Sequence, residues 1–402
     1  MLQNDHIRRL FPVLLLNLTA FAIAIPVLPA LAYAVGGSAI DVGLLYAVQS
    51  LGQFLMAPLW GKMSDRMGRK PILLATFLAA AILELATAFI GSLGLLYAAR
   101  FLVGLCAGNV ATASAMIADS TDDAGRSKGM AIIGISFGIG FTLGPAIGAA
   151  AGVVAVPDIA GITGAGLPFG VASAIYFMTF ILGAIILLEP ALDADSRRAN
   201  RQQHRSSSVW RQLKRTPVLL LCALFFLYTV SLTVLEGTFF IYMEEVYGYD
   251  IVEVGLIFAG MGLLMALFHG AVAPLSKRIG DRRMTLLGVG LLGAGLLMAP
   301  VVPVLWFLLT ALGIATFGRA IVHPGILAMM STRSRGSDET GHLMGMLTSA
   351  SSLGRIFGPA VGGFIFATVS PQAPFYFAGA LLLISGLLWW QLWRHLVDTP
   401  AH

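Results

Sequence analysis

The side chains with the greatest chemical potential in this sequence are ionisable groups inside long apolar stretches. The carboxylates that lie deep within such stretches are Glu84 and Glu236. Burial favours the neutral form of a carboxylate, which suits a group that must bind and release a proton. We therefore expect Glu236 to bind a proton or a cationic substrate. For Glu84 two interpretations stay open, a proton site and a buried charge held by a neighbouring partner.

Basic side chains in the same kind of stretch predict a different chemistry. They are Arg100, Arg319, Arg355, His269 and His323. Pairing of an arginine with Glu236 would neutralise both groups, whereas an unpaired arginine would favour an anionic substrate. Histidine titrates near physiological pH, so these histidines are candidates to assist proton transfer, although a lone histidine is more often a packing residue.

Positioning these groups requires a scaffold that is embedded in lipid. Of the 402 residues, 57% are hydrophobic and 11% are charged, against roughly 25% charged residues in a soluble domain. A spanning helix needs about 20 mostly apolar residues, and we divide the long run 284–330 at Pro300 and Pro303. The twelve predicted spans are 10–33, 41–61, 72–91, 94–118, 128–152, 168–189, 217–241, 251–275, 284–301, 303–330, 342–367 and 373–394.

The cations are divided unequally between alternate loops. Three of the 25 Lys and Arg residues lie inside predicted spans, and the other 22 (25 minus 3) lie in the termini and alternate loops. Those loops are 62–70, 126–128, 197–215, 277–283 and 333–335. Because cationic loops stay on the cytoplasmic side, we expect both termini in the cytoplasm. The compact loops suit a bacterial inner membrane.

Two halves of six spans are predicted. The N-terminal bundle covers 1–189 and the C-terminal bundle covers 217–402, with a basic cytoplasmic linker at 190–216. A cationic segment between two membrane bundles is typical of a solvated linker near anionic lipid. We therefore do not expect it to bind nucleic acid.

The two halves also repeat each other. Gly-Leu-Leu-Tyr-Ala from Gly43 matches Gly-Leu-Ile-Phe-Ala from Gly255 at an offset of 212 residues, and without a gap Gly68 then falls on Gly280. Later, the Gly-Pro-Ala-Ile-Gly of 144–148 is echoed in the second half by Gly-Pro-Ala-Val-Gly. Parallel repeats of six helices suit alternating access around a site near the membrane midplane.

The charged segment 61–71 reads Gly-Lys-Met-Ser-Asp-Arg-Met-Gly-Arg-Lys-Pro and follows the second predicted span. Its G-x-x-x-D-R-x-G-R-K-P pattern resembles the signature loop of the major facilitator superfamily. The resemblance implies a cytoplasmic gate in which Asp65 faces the N-terminal end of span 11. It also implies that Arg66 or Arg69 pairs with Asp119. The predicted gate residues are Gly61, Asp65, Arg66, Gly68, Arg69 and Asp119.

Two further motifs resemble those of proton-driven exporters in this superfamily. Arg100-Phe-Leu-Val-Gly104 matches an R-x-x-x-G motif, and the resemblance implies that Arg100 takes part in proton coupling, with outward snorkelling as the alternative. The segment 140–148 resembles the antiporter motif, although the family pattern has glycines where Ala131 and Ala149 stand. Its matching residues are Gly140, Gly144, Pro145 and Gly148.

The run of motifs is most similar to the tetracycline/proton antiporter branch. That branch has an acidic residue on its first helix, where this chain has Asn17, which cannot titrate. Its acidic residue on the third helix is matched by Glu84, and its acidic residue on the ninth helix has no counterpart here. We therefore expect the substrate or the coupling route to differ from that of the branch.

Together these features predict an all-α membrane protein with twelve helices in two pseudo-symmetric bundles, the major facilitator fold. We expect a monomeric, proton-coupled exporter of small amphipathic or hydrophobic compounds that needs no cofactor. The alternative is a uniporter or symporter of a small metabolite, an anion if the arginines are unpaired. No P-loop, H-E-x-x-H motif or metal-ligand cluster predicts an enzyme or a metal site. The predicted substrate cavity contains Asn17, Glu236, His269, Arg319, His323 and Arg355.

Overall fold

The computed structural model describes residues 5–107, 109–120, 123–152, 166–189, 216–332 and 337–396. Most of the predicted linker, 190–215, lies outside these ranges. The described residues form helices joined by short turns. The helices are α1 (Asp5–Ala34), α2 (Ala39–Met67), α3 (Arg69–Ala88), α4 (Leu93–Cys106), α5 (Asn109–Asp119), α6 (Asp123–Gly152), α7 (Leu167–Ile186), α8 (Thr216–Tyr247), α9 (Ile251–His269), α10 (Val272–Met298), α11 (Leu305–Ser331), α12 (Ser337–Thr368) and α13 (Ala373–Leu396).

These helices correspond in order to the twelve predicted spans, with α4 and α5 together forming the fourth. Within the described ranges, eight helices are each long and apolar enough to cross a membrane. The predicted division at Pro300 and Pro303 is confirmed, because α10 ends at Met298 and α11 begins at Leu305. The chain therefore has the predicted all-α membrane architecture of two repeated six-span bundles.

The fourth span is not the continuous helix that the sequence predicted. The backbone N–H of Ala107 donates to the Gly104 carbonyl, an i to i−3 turn that ends α4. Two carbonyls near this break accept hydrogen bonds from α2, that of Leu105 from the Trp60 indole and that of Ala107 from Gln53. Backbone groups freed from a helix need partners in an apolar phase, and these side chains supply them.

The predicted loop at 61–71 is mostly helical, which corrects its boundaries. Helix α2 continues to Met67 and α3 begins at Arg69, so the connection is the single residue Gly68. Its φ of 103° lies in a region that residues with a Cβ rarely adopt. The charged side chains of this segment are therefore fixed on two helix ends rather than on a long loop.

The packing of the described helices separates the chain into two compact units. The first unit contains Met1–Asp193 and Phe239–Leu263, and the second contains Ala194–Thr238 and Leu264–His402. In the first unit α1 packs along α6 and α7, and α3 packs along α7. In the second unit α10 packs along α11 and α13. The domain limits predicted from sequence, at 189 and 217, stay a prediction.

Glycines place the two copies of the Gly-Pro segment in matching contacts. On α6, a methyl group at Gly144 or Gly148 would overlap α1, at Ala22 and at the Ile23 carbonyl. On α12, a methyl group at the equivalent glycines would overlap α8 in the same way. The α12 residues are Gly358 and Gly362, and they face Thr233 and Val234. The two copies of the Gly-Pro segment thus each bring a pair of helices into close contact at the same point of the repeat.

Candidate functional site

A buried ion pair joins α3 to α4 inside the first unit. The Arg100 side chain has no exposed surface, and 3% of the Glu84 side chain is exposed. The guanidinium of Arg100 donates to both carboxylate oxygens of Glu84, at 3.3 and 2.8 Å, and to Thr87 Oγ1 at 2.9 Å. Such a bidentate contact is the favoured way to hold two opposite charges away from water. Arg100 is therefore directed into the bundle and held by Glu84.

Aromatic rings on α7 complete the surroundings of this pair. The Phe169 ring centroid lies 5.2 Å from Arg100 Cζ, within cation–π range. Tyr176 is also buried and lies within electrostatic range of both charges. Close approach of α2 to α4 explains the glycine of the R-x-x-x-G motif, because a methyl group at Gly104 would overlap the Gln49 carbonyl. The R-x-x-x-G motif thus places the Arg100 guanidinium of α4 against α3 and α7.

A second cluster forms where α2 meets α3, with Arg69 at its centre. Only 5% of Arg69 is exposed. Its guanidinium forms ion pairs with Asp65 and with Asp119, the latter at 2.8 Å, and donates to Ser64 Oγ at 2.6 Å. The predicted pairing with Asp119 therefore belongs to Arg69. Arg66 is exposed to solvent.

The other predicted gate residues differ in their surroundings. Gly68 has the tight-turn conformation expected of it. Gly61 lies inside α2, and no described atom comes within 4 Å of where its Cβ would stand. The predicted contact of Asp65 with the N-terminal end of span 11 stays a prediction, since the side chains at the start of α12 are outside those described.

Sequence reasoning missed the residue that closes this cluster, Glu189. Its two carboxylate oxygens accept from the backbone N–H groups of Arg69 and Lys70, at 2.6 and 2.7 Å. An anion at this position satisfies donors that the first turn of α3 leaves free and also complements the helix dipole. Lys70 in turn donates to the Ala184 and Leu187 carbonyls at the end of α7, both at 2.8 Å. The start of α3 therefore donates both backbone and side-chain hydrogen bonds to the end of α7 and to Glu189 just beyond it.

A cluster of basic side chains lies in the second unit, on α9, α11 and α12, beside Tyr228 of α8. The Tyr228 hydroxyl lies beside the Arg319 guanidinium, and Arg355 is within electrostatic range of it. The exposed His323 lies in electrostatic range of Arg319, Arg355 and His269, and its ring is 5.4 Å from that of Phe225. Within the described residues, neither arginine forms an ion pair with a carboxylate. We call Arg319, His323, Arg355 and His269 the cationic cluster.

Two further predicted cavity residues, Glu236 and Asn17, lie on α8 and α1. Glu236 is half-buried on α8 and, in the part of the chain that the structure describes, has no ion pair. Of the two alternatives left open for Arg319 and Arg355, the pairing with Glu236 is not observed among these described residues. Asn17 is buried in α1 with 2% of its surface exposed.

The antiporter-like segment 140–148 packs against more than one helix. Gly140, Gly144 and Gly148 face α1, as described for the repeat. Beyond the segment, a methyl group at Gly255 of α9 would overlap the Cβ of Ala149. Where the family pattern has a glycine at 149, this chain therefore has the alanine and places the glycine on the facing helix.

The repeated helical bundles, with ionisable groups inside their spans, define a multi-pass membrane transport protein rather than an enzyme. A family model of the Major Facilitator Superfamily matches residues 10–269 and 226–401. The chain therefore belongs to the Major Facilitator Superfamily, which confirms the resemblance carried by segment 61–71.

Relatives extend over almost the whole chain. The class E tetracycline resistance protein of Escherichia coli is 30% identical over 374 residues, which cover 91% of this chain and 89% of that protein. Major facilitator superfamily domain-containing protein 10 of Mus musculus is 30% identical over 444 residues, covering 97% and 93%. The crystal structure of the human organic anion transporter MFSD10 (TETRAN) has a TM-score of 0.72 and 25% identity, covering 97% of this chain and 100% of that one.

Proposed function

We propose that this transporter is a proton-coupled exporter of small amphipathic compounds that works by alternating access in a bacterial inner membrane, with both termini in the cytoplasm. The observation that carries this proposal is the different state of the two carboxylates within the spans. Glu84 is locked to Arg100, whereas Glu236 has no described ion pair. The similarity to tetracycline resistance proteins supports export as the direction.

Energetics favour Glu236 as the proton-binding residue. A proton that crosses about 100 mV of membrane potential supplies about 2.3 kcal/mol. Removing one partner of a buried ion pair costs about 3–5 kcal/mol, so the step that protonates Glu84 would be opposed by more than that driving force. Glu236 can exchange a proton without breaking such a pair. The Glu84–Arg100 pair then serves coupling by holding α3, α4 and α7 in register.

The cluster around Arg69 is proposed to gate the cytoplasmic side. Arg69 pairs with Asp65 of α2 and with Asp119 of α5. If α5 moves relative to α2, Arg69 must therefore lose at least one of these two contacts or change its conformation. A buried charged contact of this kind has two discrete states, made and broken, which suits a gate. Asp65 remains the residue proposed to contact α12.

The test uses proteoliposomes with an imposed pH gradient and two fluorescent amphipathic compounds, cationic ethidium and anionic carboxyfluorescein. In the Glu236→Gln variant we expect gradient-driven transport to fall at least about ten-fold, while counterflow without a gradient continues. Glu245→Gln, near the end of the same helix, is the matched control and should transport like wild type. Unchanged gradient-driven transport in Glu236→Gln would remove Glu236 from the mechanism.

The cationic cluster supports a second candidate, a uniporter or symporter of a small organic anion. Two arginines without a described carboxylate partner provide positive charge for an anion to neutralise, and one solved relative is named an organic anion transporter. For this candidate, carboxyfluorescein counterflow should be equally fast with and without a proton gradient. It should fall about ten-fold or more in Arg319→Gln, and ethidium should not be transported. Ethidium export that depends on the gradient would favour the first proposal.

A further inference from the structure

A furrow on the second unit is distinct from all the charged clusters described above. It lies between α10 and α13 and has a volume of about 350 Å³. Its walls are apolar, and they include Leu286, Gly290, Leu383, Leu387 and Trp390. No described atom lies within 4 Å of the position that a Cβ on Gly290 would take. The furrow is thus an open apolar slot between two membrane helices.

One end of the furrow carries cations held on an aromatic ring. Arg282 precedes Leu286 by one helical turn, and its Cζ lies 4.7 Å from the Trp390 ring and 5.8 Å from the Trp393 ring. Arg394 Cζ lies 5.8 Å from the same Trp390 ring. Trp390 therefore lines the slot, and its ring contacts two guanidinium groups at one end of the slot. These contacts limit the positions that the two positive charges can occupy.

The chemistry of this surface matches a lipid better than a transported compound. A site that orients a small molecule has several polar groups converging on it, but the side chains lining this slot are apolar and the charge lies at one end. Tryptophan and arginine at the end of a spanning helix are typical of the level of the lipid headgroups. Basic pockets between membrane helices bind anionic headgroups.

We propose that the furrow binds one acyl chain of an anionic glycerophospholipid, with the lipid phosphate held by Arg282 and Arg394. The open space at Gly290 admits the chain, and Leu383 and Leu387 cover it from α13. The two arginines give the selectivity, since each cation near an anionic headgroup contributes a factor of about five in affinity. This site is independent of the proposed transport cycle.

The experiment is native mass spectrometry of the purified, delipidated protein with added dioleoyl phosphatidylglycerol or dioleoyl phosphatidylcholine. Wild type should bind one phosphatidylglycerol at least about five-fold more tightly than phosphatidylcholine. Gly290→Leu fills the slot and should lose this tight adduct. Gly313→Leu, at a glycine of α11 that also has open space around it, is the matched control and should keep it.

A second variant tests the headgroup part. In Arg282→Gln combined with Arg394→Gln we expect a lipid adduct to remain while the preference for phosphatidylglycerol disappears. Circular dichroism and gel filtration establish that each variant is folded. The proposal is overturned if wild type does not discriminate between the two lipids, or if folded Gly290→Leu binds phosphatidylglycerol as wild type does. It is also overturned if Gly290→Leu instead dissociates a dimer, because the slot would then hold a second copy of the chain.

Discussion

Gly68 and Gly280 are 212 residues apart and have nearly the same backbone conformation, with φ of 103° and 79°. Their ψ values are 158° and 155°. At Gly68 the turn separates α2 from α3, and at Gly280 it forms a kink within α10. The alignment of the two halves by sequence predicted this correspondence, and the shared conformation confirms it.

The side chains that directly follow the two turns, Arg69 and Asp281, have opposite charges. In the first copy Ser64 accepts a hydrogen bond from Arg69, whereas in the second copy Ser276 donates one to Asp281. A hydroxyl both donates and accepts, so the same serine serves a cation in one copy and an anion in the other. The comparison teaches that the glycine preserves the turn while the charge at the next helix start decides what can assemble there. Only a cation at position 69 can hold Asp65 and Asp119 together.

The largest expected difference between the copies comes from removing these two charges. Arg69→Gln leaves two carboxylates without their buried partner, and we expect it to lower the free energy of unfolding by about 3–5 kcal/mol. Asp281→Asn removes a charge but keeps an oxygen that can accept from Ser276, so it should cost at most about 1 kcal/mol. Denaturant midpoints in detergent, followed by tryptophan fluorescence, measure both. Arg66→Gln, which changes an exposed arginine of the same segment, is the control. Equal losses of unfolding free energy in Arg69→Gln and Asp281→Asn would contradict the comparison.

An alanine at each turn should produce the next largest difference. Both substitutions force a positive φ with an extended ψ on a residue with a Cβ, a combination essentially restricted to glycine, at about 1–3 kcal/mol. At Gly68 the new methyl group would also meet the Glu189 carboxylate, while at Gly280 it would meet open space. We therefore expect Gly68→Ala to be the more destabilising in the same unfolding assay.

The double variant Gly68→Ala with Glu189→Ala separates the two causes. It removes the steric overlap at Gly68 but also the anion that caps α3. If Gly68→Ala and Gly280→Ala are equally destabilising, backbone strain alone accounts for both. A non-additive double variant would instead identify the contact with Glu189 as the additional cost.

The smallest difference concerns the serines. Ser64→Ala removes a hydrogen bond to a buried guanidinium, for which we expect a loss of about 1.5–3 kcal/mol. Ser276→Ala removes a hydrogen bond to Asp281, which is only half-buried, and should cost about 0.5–1.5 kcal/mol. Thermal midpoints measured side by side give the order. A larger loss of stability in Ser276→Ala than in Ser64→Ala would contradict this order. It would show that the hydrogen bond to Asp281 contributes more to stability than the one from Arg69.

Much of the architecture followed from the sequence because it depends on local properties. The length of each apolar run determines a span, and Pro300 and Pro303 end one helix and delay the next. The turn at Gly68 and the pairing of a motif arginine with Asp119 were also predicted. The repeat gave the equivalence with Gly280 without any structural information.

The remaining features depend on contacts between distant segments. Glu189 caps α3 from 120 residues away, and a single carboxylate at the end of a span has no pattern that names its partner. The pairing of Glu84 with Arg100 depends on the rotation of α3 relative to α4, which a lone acidic residue does not specify. The carbonyls near the break between α4 and α5 are satisfied by Gln53 and Trp60 of α2, and no local sequence pattern specifies these contacts.

The packing of α9 on α6 has a consequence for biosynthesis. Gly255 contacts Ala149 and belongs to the first compact unit. The ribosome makes Gly255 only after the linker and α8. The first compact unit therefore cannot be complete when residue 189 has been made. A fragment that ends at 189 leaves the α6 surface around Ala149 and Gly152 without the α9 residues that contact it. The last step in assembling the first compact unit therefore waits until more than half of the chain has been translated.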